Sequence, residues 1–325
     1  MCMFFVYSKA KLTKERMMKK ALLFSGQGSQ FVGMGKDLYD RYQAARDVFD
    51  AVDEALEIKL SAIIFDGTDE ELTQTQNAQP ALMALSQAVW AVLQKEAGLS
   101  ITDFAYVAGH SLGEYSALCA AKALSLVDTA KLLRARGEAM ALACAQNKGA
   151  MAAVIGLDAD AVEKVAAKAG AYVANDNSVG QIVLSGTTEA IEKACALAQE
   201  AGAKRALPLK VSGAFHSPLM TSAAQTMAPL IQNAEFKTPL VPVIANVTAK
   251  PVQNVDEIKS LLVSQISGQV RWTATVRYLK AEGVEQALEL GAGKVLAGLV
   301  KRTEPDVKVI SIGDVIALDE FLKTL

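Results

Sequence analysis

The stretch Val107-Ala108-Gly109-His110-Ser111-Leu112-Gly113-Glu114-Tyr115 constrains this chain more than any other. Phe104 to Ala108 is short, apolar and rich in β-formers, which predicts a buried strand. Leu112 to Ala121 is rich in Ala and Leu and predicts a helix. Gly-x-Ser-x-Gly between a strand and a helix is the setting of a nucleophile elbow, where a strained backbone holds the serine hydroxyl clear of the sheet. Gly109 and Gly113 lack the side chains that would keep strand and helix apart. The N–H of Leu112 points into the same space at a helix N-terminus, where negative charge is favoured. Ser111 is therefore the candidate nucleophile.

The chain around the elbow alternates strand and helix. Ala21 to Phe24 predicts a buried strand, followed by Ser25-Gly26-Gln27-Gly28-Ser29-Gln30. A dinucleotide loop needs Gly where Phe31 stands, and no Gly-Lys-Ser/Thr follows, so this is no phosphate loop. It can still offer backbone N–H groups to an anion, and it is a candidate oxyanion loop. Apolar residues at 38, 42, 45, 49, 52 and 56 predict a helix from Asp37 to Leu56. Pro80 to Ala97 predicts a second, closed by Gly98, with the polar run Thr73–Asn77 as a solvated connection. Ser125 to Cys144 predicts a third, and Arg136 falls on the margin of its apolar stripe. A guanidinium aimed inward must find an anion, while the alternatives are a structural ion pair or a side chain that snorkels to solvent.

Residues 148 to 211 change rhythm. Strands are predicted at Met151–Ile155, Ala171–Asn175, Gln181–Ser185 and Arg205–Val211, with helices at Asp158–Ala169 and Thr188–Ala201. This βαββαβ order is the ferredoxin-like unit, read as a small subdomain inserted into a larger one. Its last strand leads to Gly213-Ala214-Phe215-His216-Ser217-Pro218, where the two subdomains would meet and ligand clefts commonly form. The chain has two histidines, and His110 is tied to the elbow beside Ser111, so His216 is the candidate base. Beyond it, strands are predicted at Val241–Ala245, Gln286–Leu290 and Val307–Ile312, and helices at Val255–Ile266, Trp272–Glu282, to Lys301 and at Val315–Leu325. The fold class is thus α/β, with helices on both faces of a sheet.

Composition narrows the chemistry further. A net charge of −2 argues against nucleic acid as the main partner, and no apolar run reaches membrane-spanning length. Four cysteines without CxxC spacing read as reduced thiols of a cytoplasmic protein, and two histidines make a His-rich metal site a poor fit.

Gly-Gln-Gly-Ser-Gln, Gly-His-Ser-Leu-Gly-Glu-Tyr, Arg136, Ala-Phe-His-Ser-Pro-Leu-Met and Glu-Leu-Gly-Ala-Gly-Lys-Val-Leu follow one another in that order. With them the chain, from about Met18 onward, resembles the bacterial malonyl-CoA:acyl carrier protein transacylases, kin of the acyltransferase domains of polyketide and fatty-acid synthases. The resemblance implies an α/β-hydrolase-like large subdomain (18–147 and 212–325) and a ferredoxin-like small one (148–211); residues 1–17, a short apolar run followed by charge, stand outside it and read as an extended, poorly ordered start. It implies Ser111 as nucleophile and His216 as base. Gln27 and Leu112 would supply oxyanion N–H groups, and Arg136 would grip a malonyl carboxylate. The Gln265 carbonyl would orient His216, Asn246 would line the pocket, and Phe215 has the form seen in malonyl-selecting members. Ser25 departs from the Pro that the family often carries before Gly-Gln-Gly, which bears on loop rigidity rather than on its N–H groups. The implied partners are malonyl-CoA and acyl carrier protein, with no resident cofactor and a monomer as the expected state. A serine hydrolase or thioesterase using the same Ser–His pair is the competing reading. Its Ser–acid–His order would put the acid largely within the inserted unit.

Overall fold

Strand β1 (Lys19–Phe24) buries its apolar run Ala21–Phe24 completely, and the rest of the large sheet is laid on it. The computed structural model describes residues 19–325, so the expectation for the start segment lies outside the described residues. The remaining strands are β2 (Tyr106–Gly109), β3 (Ala150–Ile155), β4 (Tyr172–Ser178), β5 (Gln181–Gly186), β6 (Arg205–Pro208), β7 (Val243–Ala245), β8 (Lys250–Val252), β9 (Val284–Leu290) and β10 (Lys308–Ile312). Six form one sheet in the order β10-β9-β1-β2-β7-β8, parallel except for β8, which runs against β7. The α/β class follows, because parallel neighbours need crossovers and the crossovers here are helices. The other four form an antiparallel sheet in the order β4-β5-β3-β6, the ferredoxin-like arrangement. No helix among the described residues is long and apolar enough to cross a membrane.

Several elements differ from the sequence reading. The helix expected over Asp37–Leu56 is two, Lys36–Arg41 and Gln43–Leu56. Tyr42 between them is extended, and its hydroxyl is drawn to Asp319 across the fold, 3.1 Å away. The helix expected from Pro80 begins at Thr75, so of the expected solvated connection Thr73 and Gln74 are exposed while Thr75 and Asn77 are buried in the helix's first turn. Pro80 leaves the Gln76 carbonyl without its helical donor, and Arg134 Nη1 reaches that oxygen at 3.5 Å instead. β6 stops at Pro208 rather than Val211, and helix Thr221–Asn233 and strand β8 were not foreseen.

The two sheets are joined near the cleft. Val270, from the large sheet's side, exchanges backbone hydrogen bonds with β4: Asp176 N donates to its carbonyl at 2.9 Å, and its own N–H donates to Ala174 O at 2.8 Å. Arg302 Nη1 donates to Gln181 Oε1 at 2.6 Å across the same junction. Three adjacent parallel strands, β1, β2 and β7, end together at the carboxyl edge of the large sheet. Gln27, Ser111 and Asn246 each follow one of them, which is where α/β sheets place ligands.

Candidate active site

β2 runs into helix Gly113–Ala120 through a turn in which Ser111 takes φ +53°, a left-handed conformation that costs a non-glycine residue on the order of 1–3 kcal/mol. Side chains at Gly109 and Gly113 would break this turn. A Cβ at Gly109 would overlap the Gly113 carbonyl, and one at Gly113 would overlap the carbonyl of Phe24. The turn is held from below by Asn246. Its Oδ1 accepts from Ser111 N at 2.7 Å, and its Nδ2 donates to Gly109 O at 2.7 Å. Asn246 was expected on the pocket wall. It is buried beneath the elbow instead, because both ends of its amide are engaged by backbone.

Ser111 Oγ lies 2.8 Å from His216 Nε2. His216 Nδ1 lies 2.9 Å from the Gln265 carbonyl oxygen and 3.1 Å from that of Gly268. Carbonyls only accept, so Nδ1 carries the proton and Nε2 is left to accept from the serine hydroxyl. Burial, and then the Arg136 charge, push His216 down from the ordinary imidazole value to about 3, so the ring is a neutral base.

Arg136 sits mid-way along helix Leu126–Gln146, 1% exposed. Its Nη1 donates to Gln79 Oε1 at 2.6 Å, and its Nη2 to Gln265 Oε1 at 2.9 Å and Ser111 Oγ at 3.2 Å. Nε has no partner, and no carboxylate among the described residues lies within ion-pair distance of the guanidinium. The structural ion pair is thereby ruled out, and so is snorkelling to solvent. Gln79 reaches Arg136 because helix Thr75–Ala97 comes close at Gly137, where a Cβ would overlap the Gln76 backbone.

The N–H groups of Gln27 and Leu112 find no acceptor among the described residues, and Ser111's own N–H is taken by Asn246. The cleft above Ser111 is lined by Gln27, His110, Met140, Phe215 and His216, with Lys210 at its mouth among others. Phe215 is 6% exposed there. His110 turns away from the hydroxyl, as its place at the elbow requires, and its Nε2 bonds Asn177 Oδ1 of β4 at 2.8 Å.

Three contributors escaped the sequence. The resemblance implies a role for the Gln265 carbonyl alone, yet its side chain bridges three groups. Nε2 donates to Ser111 O at 2.9 Å and to Glu114 Oε2 at 2.8 Å, while Oε1 faces Arg136. Glu114 Oε2 also accepts from Asn246 N at 3.0 Å. Glu114 could have been flagged as the one carboxylate in an otherwise apolar helix, but Gln79 had no such signal.

The described site combines a hydroxyl on a neutral base, two free N–H groups and a buried cation. That set can attack a carbonyl, hold an oxyanion and seat an acyl group bearing its own negative charge. Residues 21–315 match the family model described as the acyl transferase domain. The chain is 48% identical to the malonyl CoA-acyl carrier protein transacylase of Bacillus subtilis, over 95% of this chain and 98% of that protein. A crystal structure of acyl-carrier-protein-S-malonyltransferase from Bartonella henselae superposes with a TM-score of 0.91 at 48% identity, covering 94% of this chain and 99% of that one. A solved malonyl-transacylase in complex with its type II PKS acyl-carrier protein superposes with a TM-score of 0.90 at 38% identity, covering 94% and 100%.

Proposed function

The chain belongs to the acyl transferase domain family, and on that premise we propose that it moves a malonyl group from malonyl-CoA to the phosphopantetheine thiol of acyl carrier protein, through a malonyl ester on Ser111, supplying malonyl units for fatty-acid synthesis. The observation that carries the reading is the double engagement of Ser111 Oγ, by the His216 base at 2.8 Å and by a buried guanidinium at 3.2 Å.

His216 Nε2 takes the serine proton as Oγ attacks the thioester carbonyl. The Gln265 and Gly268 carbonyls stabilise the imidazolium through Nδ1–H, in the place where a hydrolase would put an acid. The oxyanion lies on the Gln27 and Leu112 N–H groups, each such donor being worth about 3 kcal/mol in comparable sites. Protonated His216 gives its proton to the departing CoA thiolate. The carrier thiol then attacks the ester with the roles reversed. One thioester replaces another, so the reaction is reversible and ping-pong. Arg136 takes the malonyl carboxylate, and Phe215 closes the space beside it. No resident cofactor is called on, since the substrates bring CoA and phosphopantetheine themselves. The protein acts in the cytoplasm, in keeping with free thiols at Cys119, Cys144 and Cys195.

Brief exposure to malonyl-CoA, followed by intact mass, tests this. A malonyl adduct should appear, map to Ser111, clear on adding holo acyl carrier protein, and be absent from Ser111→Ala. An adduct that clears equally fast in water would make the protein a thioesterase.

A further inference from the structure

Glu114 is a buried carboxylate that the transfer steps do not use. One of its oxygens accepts from Gln265 Nε2 at 2.8 Å and Asn246 N at 3.0 Å, and Gln265 in turn accepts from Arg136. A single amide therefore separates this carboxylate from the guanidinium read above as the malonyl seat. We infer that seating a malonyl carboxylate on Arg136 drives a proton from solvent onto Glu114, so that malonyl binding, and not acetyl binding, is coupled to proton uptake. The inference rests on that reading of Arg136.

The physics is charge compensation. Arg136 is the one cation whose charge favours ionised Glu114, and a ligand carboxylate on its other side cancels that support. Two anions then share one buried cation, and the one that can leave its charge to the buffer does so. An O–H bond forms on Glu114 and one breaks in the buffer acid. Burial already pushes this carboxyl up to about 7, so a proton is more easily placed on it than on an exposed glutamate. The other groups around it are few. Tyr115, on the same helix, is pushed up to about 12 by burial and stays neutral, and the helix of Gln265 and the end of β7 offer only amides. His216, bonded to the Gln265 carbonyl, is the other group that could take the proton.

Calorimetric titration of the Ser111→Ala protein with malonyl-CoA and acetyl-CoA, at pH 7 in two buffers of different ionisation enthalpy, decides the matter. The malonyl-minus-acetyl difference should be a net proton uptake of at most one proton per ligand. Adding Glu114→Gln should abolish it. Uptake that survives Glu114→Gln assigns the proton to His216 and overturns the inference, as does tight malonyl-CoA binding without uptake. Equal affinity for the two acyl-CoAs would instead remove the Arg136 premise. Should Glu114→Gln not fold, infrared difference spectra serve in its place. A protonated-carboxyl band that appears with malonyl-CoA and shifts in 13C-glutamate-labelled protein supports the inference, and its absence refutes it.

Discussion

Arg136 enters the fold with its guanidinium held by two amide oxygens, those of Gln79 and Gln265, neither of which carries a full charge. A substrate carboxylate supplies what they lack, whereas an acetyl group would leave the cation buried without a counter-ion. Arg136→Ala should therefore lower kcat/KM for malonyl-CoA by about a hundredfold or more and raise it for acetyl-CoA, measured on both substrates. An unchanged ratio would make Arg136 a packing residue. His216 gives a second expectation. Its reactive form is the neutral one, and its proton affinity is held down to about 3, so that form persists above that pH and is lost only as pH falls through it. Single-turnover acylation at saturating malonyl-CoA should hence show no acid limb near 6.5, where an ordinary histidine titrates. A midpoint there would mean that burial does not govern this ring.

At the scale of elements, the helix pair meeting at Gly137 sets the reach between Gln79 and Arg136. Gly137→Ala would raise the stability of an exposed helix by about 1 kcal/mol. Here the added methyl overlaps the Gln76 backbone, so Tm should fall, by about 1–3 kcal/mol in stability, and the malonyl-over-acetyl ratio should fall with it. A rise in Tm would show that the helices yield freely. The elbow was legible in the sequence because its demands are local: a short apolar strand, two glycines and a helix within a few residues of Ser111. The βαββαβ unit was legible for the same reason, from strand and helix periods and the glycine Gly170 that ends helix Ala159–Ala169. What stayed hidden depends on elements far apart in the chain. Thr75 and Asn77 look solvated in a polar run, yet both are buried, as is Gln79 a turn further on, since the opposing helix carries Arg134 and Arg136 to meet them. Gln265 lies in an ordinary amphipathic helix, and nothing local says that its amide ends between Ser111, Glu114 and Arg136. The resemblance puts Asn246 on the pocket wall, whereas the pairing of β7 beside β2 sets its amide under the elbow, a placement that only the register of distant strands decides.

Across the whole molecule, exposed cations stand on the small subdomain and near its junction with the large one: Lys210 lines the cleft, while Lys204 and Arg205 lie at the start of β6, away from it, and Lys301 and Arg302 end helix Val295–Thr303. Acyl carrier proteins are acidic. Reversing the charge of Lys210, at the cleft, should raise KM for carrier protein several-fold and flatten the salt dependence of transfer, whereas reversing Lys204 and Arg205 should do less. Unaltered kinetics would place docking elsewhere. The same junction ties His110, next to the nucleophile, to Asn177 of the small sheet. Gln27, Ser111, Arg136, His216 and Gln265 come from five separate stretches of chain, and the oxyanion site alone joins two that lie far apart in sequence. No fragment that lacks any one of these stretches can assemble the site, and the Ser111 turn itself is held by Asn246 from another strand. A copy that has not yet brought them together lacks the complete site. It cannot squander CoA thioesters on water, and on refolding acyl transfer should return with, and never ahead of, the fixed environment of buried Trp272 beside His110.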